Sequence, residues 1–336
     1  MPGMKTRTLG PFHVREIGFG CMNISHAYGE PLPAAEGARL LNAALDAGHT
    51  LMDTATLYGF GANETLVGQA LKSRRQEFVL ASKCGLGGVT GADGKVTRTI
   101  DGRPEALRRH CEDSLRRLQT DVIDLYYLHR WDKRVPIEES VGELSRLVEA
   151  GKVRTLGLSE VGAAALRRAH AVHPITALQN EYSLWSREPE IAVLQACREL
   201  GVTFVAFSPL GRGFLGDRLQ EVDSLPAADF RRNLPRYQPP QFTRNAALLP
   251  TLRALAREAG CTPAQLALAW LLQRGPAIIP IPGTRSLAHL QENVGAADVH
   301  LSPAVIAQAE ALFARDRVAG ERYPAQTQAE VDTETF

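Results

Sequence analysis

Eight short apolar, β-rich runs alternate with stretches of helical periodicity, and this alternation constrains the chain more than any other feature. The runs are "EIGFGCM" (16–22), "TLMDTA" (50–55), "FVLASK" (78–83), "VIDLYYLH" (122–129), "VRTLGLS" (153–159), "ITALQNEY" (175–182), "TFVAFSPL" (203–210) and "AIIPIPG" (277–283). Each is nearly continuous in its apolar residues and bounded by polar or glycine-containing turns, as expected of strands buried on both faces. Between them, Leu107, Cys111, Leu115 and Leu118 recur at three or four residues and form one helical stripe. Pro104 suits the first turn of that helix, where a missing amide hydrogen costs nothing. Thr262, Pro263 and Gln265 read as a capping box opening another helix.

Alternating β and α segments imply parallel strands joined by helical crossovers. Eight such units fit a closed (β/α)8 barrel, expected here as one domain over residues 1–336. The rival is an open doubly wound sheet, which GxGxxG after the first run would favour; "GFGCMN" does not supply it. Three segments fall outside the repeat. "MKTRTLGPFHV" (4–14) reads as a hairpin plugging the barrel floor, and "GVTGADGKVTRTIDG" (88–102) carries a two-residue hairpin signal at Asp93-Gly94. Residues 211–245 read as a long loop, followed by an extra helix in "NAALLPTLRALAREAG". The polar tail from about Gly320 is expected to be loosely held.

Composition narrows the partners. Apolar residues make up 44% and charged residues 22% of the chain, with a net charge of +1, so no nucleic-acid partner is indicated. No apolar run is long enough to span a membrane, and "MPGMKTRTLG" lacks the apolar core of an export signal. The scattered Cys21, Cys84, Cys111, Cys197 and Cys261 read as reduced thiols. A cytoplasmic monomer or weak homo-oligomer is the expectation.

In a barrel of this kind, functional groups gather at the carboxyl ends of the strands and in the loops that follow. Asp53 ends the second run with Tyr58 in the loop after it, Lys83 ends the third run, and His129 ends the fourth. Singly, each has a bland explanation as a cap, a packed ring or a solvated charge; together they make a proton-transfer group. A lysine ammonium favours the phenolate and lowers a neighbouring phenol's pKa. Asp53 can orient Lys83, and His129 can donate a hydrogen bond to a substrate oxygen. Such a group protonates a carbonyl oxygen but supplies no electrons, which must come from a bound cofactor. The other half of the rim offers a place for one. "SPLGRGFLG" (208–216) allows close backbone approach to a pyrophosphate, and "IPGTRS" (281–286) leads into a helix. Thr284, Ser286 and Arg285 there suit a phosphate monoester.

The ordered set "DTATLYGFGANETLVG", "LASK", "DLYYLHRWD", "GLSE", "LQNEYSL", "FSPLGRGFL" and "IPGTRSLAHLQENVGAA" resembles the aldo-keto reductases from about Lys5 to about Arg315. The resemblance implies reduction of an aldehyde or ketone by hydride transfer from NADPH, with Tyr58 as general acid, Lys83 and Asp53 tuning it, and His129 orienting the carbonyl. It further implies cofactor contacts at Met22, Asp53, Ser159, Gln179, Phe207, Ser208, Leu210 and Arg212. Around the 2′-phosphate and adenine it implies Gly283, Thr284, Arg285, His289, Glu292 and Asn293. Two positions depart from the family pattern. Glu160 stands where many members have Asn and cannot donate to a carboxamide oxygen, and Phe207 stands where Tyr is common. Arg285 and His289 favour NADPH over NADH, because a 2′-phosphate needs cationic partners.

Tyr28, Phe60 and Trp131, with Trp185, lie in rim loops and could line an aromatic substrate pocket. Small aromatic or aliphatic aldehydes fit such a pocket, with pyridoxal-like or sugar-derived carbonyls as rivals. A non-enzymatic NADPH-binding regulatory subunit is the alternative from another class; His129 disfavours it, because the regulatory branch that the resemblance includes lacks a histidine there. A metal-dependent hydrolytic or isomerising barrel suffers from Lys83, whose charge repels a cation.

Overall fold

The computed structural model describes residues 5–91, 93–217 and 221–336. In chain order the strands are β1 (Thr6–Leu9), β2 (Phe12–Arg15), β3 (Phe19–Gly20), β4 (Leu51–Asp53), β5 (Val79–Cys84), β6 (Leu86–Thr90), β7 (Val96–Ile100), β8 (Ile123–Leu128), β9 (Val153–Ser159), β10 (Ile175–Glu181), β11 (Thr203–Phe207) and β12 (Ile278–Pro280). The eight apolar runs become β3, β4, β5, β8, β9, β10, β11 and β12, which pair in that order as one parallel sheet. Two bonds join its ends: Gly18 N donates to Pro280 O at 3.0 Å and Gly20 N to Pro282 O at 3.2 Å. Proline has no amide hydrogen, so at this seam the bonding runs only from the first strand to the last. Gly20 is required there, because a Cβ would lie 2.8 Å from the Ile281 carbonyl oxygen.

Strand side chains alternate between two environments, as a period of two dictates. Leu51, Ala81, Leu125, Tyr127, Ala177, Val205 and Ile279 fill the barrel interior, where Leu9 and Val14 of the β1–β2 hairpin join them from below. Met52, Leu80, Tyr126, Leu128, Leu178 and Phe204 face outward and pack against the helices. Gly157 makes room for the inward ring of Tyr127, which a Cβ there would meet at 2.4 Å. Around the barrel, the helix Pro104–Leu118 buries Leu107, Cys111, Leu115 and Leu118, and Thr262 caps Pro263–Gln273 in a capping box with Gln265. Both follow the sequence pattern.

Several boundaries move. The β6–β7 hairpin forms, and beyond its last pair, Thr90 with Val96, Gly91 N donates to Lys95 O at 2.8 Å. Ala92, like Met4 and residues 218–220, lies outside the described residues. The expected long loop is in fact a chain of single 3-10 turns, among them Gly211–Gly213, Phe230–Asn233 and Pro235–Tyr237. The helix expected from 245 divides into Gln241–Ala246 and Leu249–Glu258, and the second packs on Pro303–Leu312.

The largest correction concerns the tail, which is not loosely held. Arg322, Tyr323 and Val331 are buried. Asp332 N donates to Glu160 O at 3.0 Å, and Lys133 Nζ donates to the carbonyls of Ala329 and Val331. Ala163 N donates to Glu334 at 2.7 Å. The tail's anchors are charged and polar groups, so a reading by apolar pattern passes over them.

Candidate active site

Parallel pairing brings the end of β4 beside β5, with Asp53 opposite Ala81 and Lys83 two residues beyond, on the same face. Lys83 Nζ meets three oxygens there: Asp53 Oδ1 at 2.5 Å, Thr54 O at 2.9 Å and Tyr58 OH at 3.0 Å. Tyr58 turns back toward the barrel because the chain after it takes left-handed backbone, at Gly59 (φ 58°), Phe60 (φ 50°) and Gly61 (φ 98°). The non-glycine Phe60 in that region is strained, which marks the turn as one the surroundings impose. His129 follows β8 and sets its ring edge-on to Tyr58, with centroids 5.9 Å apart.

Burial shapes the protonation of this group. It pushes the Tyr58 phenol above its ordinary value, against the opposing pull of Lys83, so the hydroxyl keeps its proton at neutral pH. Burial would also discharge Lys83, but Asp53 and Tyr58 outweigh it and hold the ammonium charged. His129 is held well below the usual imidazole range by burial and by Arg130 and Lys83, and is neutral.

A cavity of about 690 Å³ opens over these residues, a size suited to a drug-sized or cofactor ligand. Tyr58, Asp53 and His129 line one end, while Lys83 lies behind them. Every position implied for the cofactor lines this cavity: Met22 near the first strand, Ser159 at the end of β9, Gln179 on β10, and Phe207, Ser208, Leu210 and Arg212 after β11. Gly283, Thr284, Arg285, His289, Glu292 and Asn293 line its other end, where Ser286 caps the helix Leu287–Gly295 by accepting from His289 N. Backbone donors at that helix start, with the exposed Arg285, suit an anionic group.

Two of these positions differ in detail from expectation. The Arg212 guanidinium is already paired, donating to Glu181 Oε2 at 2.7 Å and to Tyr323 OH at 3.0 Å, so it brings no free charge to a pyrophosphate. Glu160 does not line the cavity; it accepts from Arg322 at 2.9 Å and from Glu181 N at 3.1 Å, and so serves the tail. Among the aromatic candidates, Tyr28 lines the cavity but Phe60 and Trp131 do not. Phe60 is exposed and packs toward the β6–β7 hairpin at Gly88. Trp131 donates to Val135 O and lies under Arg168, and Trp185 is stacked on Phe214 in the core. The wall is instead completed by His26, stacked on Tyr58 with centroids 6.1 Å apart, and by Arg98, Arg130 and Tyr323. Arg130 was legible beside His129; Tyr323 carries no local signal, since only the folded tail brings it to the rim.

A parallel β/α barrel with an acid–lysine–tyrosine–histidine group at its cavity is an architecture of oxidoreductases. The comparisons agree. A sequence model of the aldo/keto reductase family matches residues 16–314, and the chain belongs to that family. It is 45% identical over 313 residues to a probable aldo-keto reductase 1 of Glycine max, covering 93% of this chain and 89% of that protein. It superposes on a glycerol dehydrogenase of Gluconobacter oxydans with a TM-score of 0.84 at 29% identity, over 95% of this chain and 98% of the other. A Klebsiella pneumoniae aldo/keto reductase in complex with NADP and acetate gives 0.69 at 30% identity, over 96% and 99%.

Proposed function

We propose that this protein reduces aldehydes or ketones to alcohols at the expense of NADPH, with Tyr58 protonating the carbonyl oxygen. The observation that carries the proposal is the buried Lys83 ammonium bonded to both Asp53 and Tyr58, with the phenol on the cavity wall. NADPH, when bound, supplies the hydride. The chain's own residues supply the rest. Tyr58 OH gives its proton to the developing alkoxide, and Lys83 stabilises the phenolate left behind. Asp53 keeps the ammonium charged and aimed. His129 Nδ1 is buried without a partner, so in a neutral ring the single proton belongs on Nε2, which then donates to the same carbonyl oxygen. Phe207 offers a flat apolar face to the nicotinamide, and the helix start at Ser286, with Arg285 and His289, receives the 2′-phosphate.

The test is cofactor consumption with a reactive aromatic aldehyde, run with NADPH and NADH on the wild type and on Tyr58→Phe. Turnover preferring NADPH, reduced by roughly two to four orders of magnitude in the variant with NADPH affinity unchanged, supports the proposal. An unchanged rate in Tyr58→Phe removes that phenol from the mechanism. Tight NADPH binding without turnover on a broad carbonyl panel replaces the enzyme with a regulatory subunit.

A further inference from the structure

Arg130 is a buried guanidinium whose needs the protein does not meet. It is only 7% exposed, and it lines the cavity. Its Nη1 donates to His129 O at 2.7 Å and more weakly to Ser159 Oγ at 3.4 Å. Among the described residues its buried Nε has no hydrogen-bond partner and its guanidinium forms no ion pair. The neighbouring buried arginines differ: Arg212 has Glu181, Arg322 has Glu160, and Arg236 donates to Trp185 O and Ser186 Oγ. Nη2 is not itself buried and has no hydrogen-bond partner among the described residues, so it is the guanidinium nitrogen left open to an acceptor in the cavity.

The residues beside Ser159 show which groups at this corner can meet a bound amide. Glu160, next to Ser159, is acceptor-only and committed to Arg322 and Glu181 N. Gln179 gives one Nε2 hydrogen to Asp53 Oδ2 at 2.7 Å, which ties that nitrogen toward β4 and leaves its Oε1 as an acceptor. A nicotinamide carboxamide presents both an NH2 donor and a carbonyl acceptor. Gln179 Oε1 can receive the first; the second needs a donor, which Glu160 cannot be and which Arg130 and the Ser159 hydroxyl can.

We propose that Arg130, together with the Ser159 hydroxyl, supplies the hydrogen bond to the carboxamide oxygen of the nicotinamide, the task that Glu160 has given up to hold the tail. This inference rests on the NADPH reading above. It carries a redox asymmetry. In the dihydronicotinamide the ring nitrogen pushes electron density onto the carboxamide oxygen, which strengthens the bond to the guanidinium. In the oxidised cofactor the ring carries a positive charge, which the guanidinium repels. Arg130 therefore favours NADPH over NADP+.

The experiment is equilibrium binding of NADPH, NADP+ and the thionicotinamide analogue of NADPH, followed by cofactor fluorescence or calorimetry on the wild type, Arg130→Met and Arg130→Lys. Arg130→Met is expected to weaken NADPH by roughly ten- to a hundredfold and NADP+ by clearly less, with Arg130→Lys recovering part of the loss. On the unaltered protein the thionicotinamide analogue should bind more weakly than NADPH, because sulfur is a poor acceptor, and Arg130→Met should erase that discrimination. The inference is overturned if the wild type holds the oxygen and sulfur cofactors equally, a result that does not depend on any variant folding. It is also overturned if Arg130→Met keeps NADPH affinity and instead raises KM only for carboxylate-bearing carbonyls, which would turn the arginine toward the substrate. A wild type that binds no NADPH at all fails the functional reading itself and this inference with it.

Discussion

Two tyrosines on the cavity wall stand at the ends of nearly matching triples. Tyr58 accepts from Lys83, which is paired with Asp53; Tyr323 accepts from Arg212, which is paired with Glu181. In both, a buried carboxylate balances a buried cation, as it must where an unpaired ion is expensive. Their surroundings then diverge. Tyr58 faces His129 and His26 and has its hydroxyl beside one compact ammonium. Tyr323 has its ring between two guanidiniums, Arg212 at 5.2 Å and Arg322 at 5.0 Å, and Arg322 in turn holds Glu160. The first triple sets a phenol hydroxyl on the cavity wall. The second spends every charge on pinning a polar segment across the rim. A shared list of residue types therefore says little about role until the neighbours are known.

Substitutions should separate the two triples, the largest effect first. Lys83→Met is expected to cost about 3–5 kcal/mol of stability by leaving Asp53 buried and unpaired. It should also lower kcat/KM by roughly a hundredfold or more through loss of the phenolate's partner, as steady-state kinetics and denaturant titration would show. Arg322→Met should cost a similar roughly 3–5 kcal/mol by stranding Glu160, yet leave kcat within about fivefold. Pairing it with Glu160→Gln should restore part of the stability. A collapse of kcat in Arg322→Met would mean that the tail cluster reaches the chemistry and that the contrast between the triples is false.

Acid and base should also tell them apart. Burial would raise the Glu181 carboxyl, but Arg212, Arg322 and Arg236 outweigh it and bring it down from 4.5 to about 2. Its folded pKa lies below its unfolded one, so its contribution is complete above about 4.5 and is lost as the pH falls toward about 2. Lys83 is shifted the other way, above 10.5, so its contribution is complete below that value and is lost only as the pH rises through its folded pKa. Melting curves across pH should show the acid limb flattened in Glu181→Gln and the alkaline limb altered in Lys83→Met. The smallest effect belongs to Phe60, outside the cavity: Phe60→Ala should leave KM for an aromatic aldehyde within about twofold, and a larger change would return it to the substrate pocket.

The barrel and the clustering of Asp53, Lys83, Tyr58 and His129 were legible because each depends on local pattern. Strands buried on both faces read as apolar runs whatever their partners, and Asp53, Lys83 and His129 sit at strand ends that the fold must bring together. The capped helix start beside the cavity was legible for the same reason, since Ser286 and the helix behind it are contiguous in sequence. Phe60 and Trp131 were misplaced because an aromatic residue in a rim loop can turn either way, and only packing against the β6–β7 hairpin or Arg168 decides which.

Sequence by itself thus determined the eightfold β/α repeat, the strand-end acid, lysine and histidine, and the tyrosine in the loop beside them, because period and position along a strand fix which side chains face one another. Tertiary structure alone decided what Glu160 and Arg212 do. Their counter-charges, Arg322 and Glu181, lie 162 and 31 residues away along the chain on other elements. A charge's role in a buried site is set by which counter-charge reaches it first, and no local pattern records that.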